Sequence, residues 1–240
     1  MSIWLIRLVR SVLLLAPIVL AACQAPTPLG TSVVAPAPVN GIGYMVFSAP
    51  ITSRSRDLFV ENATKLIDAG ANTIQLAINS PGGDIDAAQG MVDYMASVRT
   101  QRSVKFEVYN IGLVASAASY VYLNAERRYS GARGVFLFHA AGVVSTGLVP
   151  AERLRDQVAK LEAYERTMRN TLKTRTRLTD GEALTYVRRT VLLNSDDARR
   201  DGIVDSIAEF QVPLGARTWT ISTRNPAQPP RPAAPSPTPN

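Results

Sequence analysis

Apolar residues recur along this chain with two periods that take turns. YMVF (44–47) is a short apolar run suited to a strand, and RDLFVENATKLIDAG (56–70) then sets Phe59, Ala63, Leu66 and Ile67 on one helical face before stopping at Gly70. TIQLAIN (73–79) predicts a second strand, and beyond SPGG the residues Ile85, Ala88, Val92 and Met95 share a helical face. SVKFEVYN (103–110) alternates Val104, Phe106 and Val108 as a third strand; a short helix ASYVYLNA (118–125) and a strand GVFLFHA (134–140) follow. Pro150, suited to the first helical position, opens a long helix to about residue 175 with an apolar stripe of Leu154, Val158, Leu161, Met168 and Leu172. That helix reads either as a cover for the core or as an arm reaching into a neighbouring subunit. Strands separated by helices predict an α/β layered domain with a mostly parallel sheet, because parallel neighbours need crossover connections.

The two ends of the chain break this pattern. MSIWLIRLVRSVLLLAPIVLAA (1–22) has an arginine-bearing start, an apolar stretch interrupted by Pro17 and small residues at its end, as an export signal does. Cys23 is the only cysteine, so no intramolecular disulfide is available to it. Leu20, Ala21, Ala22 and Cys23 resemble the bacterial lipobox, which implies lipidation of Cys23, and Gln24 after it resembles the outer-membrane sorting pattern. Residues 24–40, rich in Pro and Ala, predict an extended tether that at roughly 3 Å per residue spans up to about 50 Å. NPAQPPRPAAPSPTPN (225–240) has too little apolar content to fold. The expected organisation is therefore a signal (1–22), a lipidated tether (23–40), one folded domain (41–222) and a Pro-rich tail (223–240). With 46% hydrophobic residues, 240 positions supply one substantial core. The formal charge of +7 includes Arg7 and Arg10 of the signal, and no zinc knuckle, ribonucleoprotein motif or clustered basic run accompanies it. Nucleic acid is not an expected partner.

Three short segments could carry chemistry. SPGG (80–83) joins a buried strand to a helix, where Gly82 and Gly83 let backbone N–H groups face outward; such a turn makes either half of an oxyanion hole or an ordinary strand-to-helix connection. Neither G-x-G-x-x-G nor a GKS/T loop is present, so a nucleotide site is not supported. NIGLVASAAS (110–119) places Ser116 where a strand turns into a helix, with Ala117 N–H beside it and small neighbours that admit a peptide backbone; it reads as a nucleophile or as a helix cap. His139, the only histidine, shares a strand face with Val135 and Leu137, as a base or as a core residue. One histidine and no free cysteine leave too few ligands for a metal site, and no cofactor is expected.

The order and spacing of SPGG, GLVASA and a strand carrying FHA resemble the proteolytic subunit of the Clp protease and its wider ClpP/crotonase superfamily, over roughly residues 43–210. LLNSDDARRDGIVDSI (192–207) resembles the closing pattern of that family, a helix leading into G-[LI]-[VI]-D. The resemblance implies a ClpP/crotonase-like layered fold with flanking helices and a long projecting helix. It implies that Ser116 attacks a peptide carbonyl, His139 is its base, and Gly82 or Gly83 together with Ala117 bind the oxyanion. It also implies a homo-oligomer acting on peptides or unfolded segments.

The pattern departs at the third member of the triad. Counting back from GIVDSI without a gap puts Thr190 where that family has an aspartate. Thr190 can accept a hydrogen bond from an imidazole but cannot stabilise an imidazolium by charge, and loss of the triad carboxylate costs about four powers of ten in turnover. Three readings follow: a slow Ser–His dyad, a displaced acid such as Asp180, Asp196 or Asp197, or an inactive peptide-binding scaffold. Signal peptide peptidase and its kin pair serine with lysine instead, which makes Lys160, in the long helix, an alternative base. An acyl-CoA enzyme of the crotonase branch is disfavoured, since that branch needs no Ser116/His139 pair. Export to the cell envelope, on the periplasmic side, argues against an ATP-driven unfoldase as partner.

Overall fold

A computed structural model describes residues 37–143 and 147–223. The expected signal, Cys23, most of the tether and all but the first residue of the Pro-rich tail lie outside the described residues. No helix among the described residues is long and apolar enough to cross a membrane.

The chain forms β1 (Ile42–Ser48), α1 (Ser53–Asp68), β2 (Thr73–Ser80), α2 (Ile85–Arg102), β3 (Lys105–Ala115), α3 (Ala117–Leu123), β4 (Arg127–Ser130), β5 (Val135–Phe138), α4 (Ala151–Arg175), α5 (Asp180–Arg188), β6 (Val191–Asn194), α6 (Ser195–Arg200), β7 (Ser206–Ile207) and β8 (Thr218–Ser222). The strands make one sheet in the order β6-β5-β3-β2-β1-β8, with β4 on β3 and β7 on β4. Every pairing is parallel except β5 with β6. The α/β architecture with a mostly parallel sheet and flanking helices is the one the alternating periods predict.

Local chemistry explains where the helices start. Thr52 and Ser55 form a reciprocal capping box at α1, Asp84 accepts from Ala87 N–H at α2, and Thr179 with Glu182 closes a second box at α5. The predicted faces of α1 and α2 are buried except at Ile85, which is half-buried at the start of α2: Phe59, Ala63, Leu66, Ala88 and Met95 pack with Met45, Ile74 and Phe106 of the sheet in one core.

Two features differ from the periodicity. The stripe of α4 is divided: Met168 and Leu172 are buried, but Leu154 is 53% and Val158 46% exposed. Only the C-terminal part of α4 covers the core; Val158, Lys160 and Leu161 in its middle lie beside Gly83, Ile85 and Asp86, and its first turn, with Leu154, is exposed. The third strand also runs on past Asn110 to Ala115, through an irregularity in which Ile78 pairs with Asn110 but Ser80 with Val114. The Asn110 side chain accepts from Gly112 N–H and donates to Val135 O, both at 2.9 Å, and Asn79 accepts from Leu113 N–H at 3.0 Å. These amides satisfy backbone groups that the irregularity would otherwise orphan. In this way β3 serves β4 along Glu107–Asn110 and β5 along Leu113–Ala115, and delivers Ser116 to the strand ends.

The closing segment is tied in electrostatically. Arg128 is buried, and its guanidinium donates to Asp205 Oδ1 at 2.6 Å and to Arg175 O at 2.7 Å, while Arg128 N–H donates to Asp205 Oδ2 at 2.8 Å. Arg175 in turn donates to the carbonyls of Leu123 and Ala125. The aspartate of GIVD thus locks β4 and the end of α4 to the same body that holds Ser116.

Candidate active site

Ser116 sits between β3 and α3 with φ 53° and ψ −127°, a backbone conformation that costs a side-chain-bearing residue about 1–3 kcal/mol. Strand pairing and a buried helix hold it there. Ser116 N–H donates to Leu137 O at 2.8 Å, Ser119 N–H donates to Ser116 O at 2.9 Å, and every residue of α3 is buried. Such a turn lifts the hydroxyl out of the regular structure on either side, as a nucleophile requires.

The glycine turn is pressed against it. Ile51 and Gly83 form an isolated parallel bridge, in which Ile51 N–H donates to Gly82 O at 2.8 Å and Asp84 N–H to Ile51 O at 2.9 Å. Gly82 N–H donates to the buried Ser80 hydroxyl at 3.2 Å. Gly83 N–H and Ala117 N–H have no acceptor among the described residues. A Cβ on Gly82 would lie 2.5 Å from Ala115 O and 2.9 Å from Ala117 N. The absence of that Cβ is what lets the turn close on the serine.

His139 lies one residue past β5. Phe136 and Phe138 are buried, so alternation turns Val135, Leu137 and His139 to the other face. His139 and Ser116 line one cavity of about 310 Å³ together with Gly83. No hydrogen bond joins Ser116 to His139 among the described residues. The Nδ1 of His139 lies 2.8 Å from Ala140 O. A carbonyl only accepts, so Nδ1 carries the proton of the neutral ring and Nε2 keeps its lone pair.

Thr190 is exposed and lies between α5 and β6. The antiparallel register ends at Phe138 with Val191, and one further step sets Thr190 across from His139, with no hydrogen bond between them among the described residues. Asp180 is held by Lys173 and Arg169, whose hydrogen bonds pull its carboxyl below the usual range. Asp197 pairs with Arg200 at 2.6 Å, and neither it nor Asp196 lines the cavity. Lys160 bonds Asp86 across a neighbouring depression, and that hydrogen bond pushes its pKa up, whereas a base needs it lowered. The carboxylates that do line the cavity are Glu162 and Glu165 of α4, where i,i+3 spacing puts them on one face. Their helix is so evenly charged that sequence reasoning had no signal to single them out. Metal-binding groupings of His, Cys, Asp and Glu are absent among the described residues.

Comparison with known proteins shows the family and the fold. The family model described as Clp protease matches residues 43–211. Among solved structures, a mutant of ClpP1 from Listeria monocytogenes superposes with a TM-score of 0.60 at 20% identity, over 70% of this chain and 92% of that one, a likeness of fold. A search of curated proteins finds no match. With the family model spanning most of the folded region, the chain belongs to the Clp protease family and carries its serine-peptidase-like domain.

Proposed function

We propose that this chain hydrolyses peptides or unfolded protein segments through a Ser116–His139 pair. One observation carries the reading most: Ser116 is held at φ 53° on a tight strand-to-helix junction and shares one cavity with the chain's only histidine. In this mechanism His139 Nε2 takes the hydroxyl proton as Ser116 Oγ attacks the carbonyl carbon, and the same imidazole returns it to the leaving amine. Water then enters and loses a proton to Nε2 as its oxygen bonds to the acyl carbon; the bond from that carbon to Ser116 Oγ breaks, Oγ takes the proton back from Nε2, and the acid leaves. Gly83 and Ala117 N–H receive the oxyanion, since each lacks another acceptor among the described residues, and Gly82 serves by its small size. Each such donor contributes a factor of about 10²–10³ to turnover. Ala140 O stands in for the usual acid by fixing the ring tautomer. It supplies no full charge, so turnover is slow.

Lipid anchoring at Cys23 on the periplasmic face of the envelope, and assembly with copies of itself through the exposed first turn of α4, belong to the same proposal. Leu154, exposed in the first turn of α4, offers apolar surface for such a contact. A second reading, a peptide-binding scaffold without turnover, draws on Thr190 and on the lack of a carboxylate bonded to His139. Reaction with a fluorophosphonate separates the two: labelling of wild type that is lost in Ser116→Ala and His139→Ala but kept in Lys160→Ala supports the dyad. No labelling supports the scaffold. Palmitate incorporation abolished by Cys23→Ala tests the anchor.

A further inference from the structure

The cavity beside Ser116 has a charge opposite to that of the chain as a whole. The chain carries 26 Lys and Arg against 19 Asp and Glu, yet no lysine or arginine lines this cavity among the described residues; its charged walls are Glu162 and Glu165. Glu165 is already neutralised by Arg188, whose Nε donates to it at 2.8 Å. Glu162 has no hydrogen-bond or ion-pair partner among the described residues. Beyond Ser116, His139 and the rings of Tyr164 and Tyr186, the lining is apolar, with Ile85, Phe138, Leu161 and Met168. A volume of about 310 Å³ is at the low end of ligand cavities and suits one substrate side chain.

An apolar trough leading to an unpaired carboxylate matches one class of side chain. Lysine and arginine lay their aliphatic stems along apolar surface and carry the cation at the tip. We propose that this cavity selects substrates with a basic residue supplying the attacked carbonyl, and that Glu162 is its specificity-determining residue. The inference rests on Ser116 being the nucleophile, and extends that reading to a substrate class. A wholly apolar side chain would fill the trough but leave the carboxylate unmatched, so norleucine, which has the alkyl stem without the ammonium, is the discriminating comparison.

The test uses two peptidyl diphenyl phosphonates that differ only in ending in a lysine or a norleucine analogue. Ser116 Oγ bonds to phosphorus, the P–O bond to one phenoxide breaks, and the phenol departs with the serine proton. Labelling therefore reads the acylation-like step without needing turnover. The lysine probe is expected to label wild type about tenfold faster than the norleucine probe, a ratio of the size that a single recognised group commonly confers. In Glu162→Gln the ratio should fall to about one, and in Glu162→Lys it should invert. Equal labelling, faster labelling by norleucine, or a lysine preference unchanged in Glu162→Gln overturns the specificity. So does failure of both peptidyl probes while a simple fluorophosphonate still labels Ser116, which leaves the nucleophile standing. Failure of the fluorophosphonate itself overturns both.

Discussion

Gly82 lies against Ser116 with no space for a methyl group between them: a Cβ on Gly82 would sit 2.7 Å from Ser116 Cβ. Gly82 also has φ +86°, which a side chain resists. Gly82→Ala is therefore expected to cost about 2–4 kcal/mol by denaturant unfolding, as overpacking and backbone strain combine. Fluorophosphonate labelling should fall at least a hundredfold even below the temperature of unfolding, because the turn and the serine are forced apart. Retention of wild-type labelling in a folded Gly82→Ala variant would show that the close approach is irrelevant.

Strain at Ser116 predicts a trade of stability against reactivity. Its φ of 53° with ψ −127° is tolerated best by glycine. Ser116→Gly should raise the unfolding free energy by roughly 0.5–1 kcal/mol, the relief of strain exceeding the added chain entropy of glycine, while abolishing labelling. A variant less stable than wild type would contradict the strained geometry.

Much of this site is legible from residue patterns, and the rest fails for identifiable reasons. Ser116 stands out because a run of small residues leads from a strand into a helix, and His139 because period-two alternation sets it apart from Phe136 and Phe138. Strand β4 does not stand out, since RRYS is polar and owes its place to pairing with β3 and to the Arg128–Asp205 contact. Strands β7 and β8 are short segments whose partners lie far away in sequence: β8 pairs with β1 at the opposite end of the domain. No local period encodes such pairing. The division of the α4 stripe was equally hidden, because an apolar face does not reveal how far the core extends beneath it. Glu162 looks in sequence like any charged residue of a solvated helix, and only its position over the cavity distinguishes it.

The Arg128–Asp205 pair should be a hinge of stability rather than of chemistry. Arg128 is only 8% exposed, so removing its partner strands a largely buried cation. Asp205 itself is partly exposed, which tempers the effect, and Asp205→Ala is expected to cost about 2–3 kcal/mol. Replacing both residues together should cost less than the sum of the single variants, by about 1 kcal/mol or more. Additive single effects would show that the two residues do not act as a pair.

Alkaline titration offers a global check on the packing. Burial raises the phenol pKa of all eight tyrosines, and Tyr109 is pushed up to about 12, first by burial and then by the charge of Glu107 and by Tyr129. Folded pKa values above the unfolded value of about 10 mean that the unfolded chain releases protons first, so this contribution to stability is complete below pH 10 and is lost as pH rises toward 12. Ultraviolet absorbance should therefore show little phenolate at pH 10 in the native protein, and ionisation coinciding with unfolding above it. Substantial ionisation near pH 10 with the fold intact would contradict the burial of these rings.

A crystal structure of the phosphonate adduct at Ser116 is the most direct examination of the catalytic arrangement. The phosphonyl oxygen is expected within about 3 Å of both Gly83 N and Ala117 N, with His139 Nε2 turned toward Ser116 Oγ. An adduct whose oxygen points to solvent, or whose imidazole faces away from the serine with its Nε2 bonded elsewhere, contradicts the account.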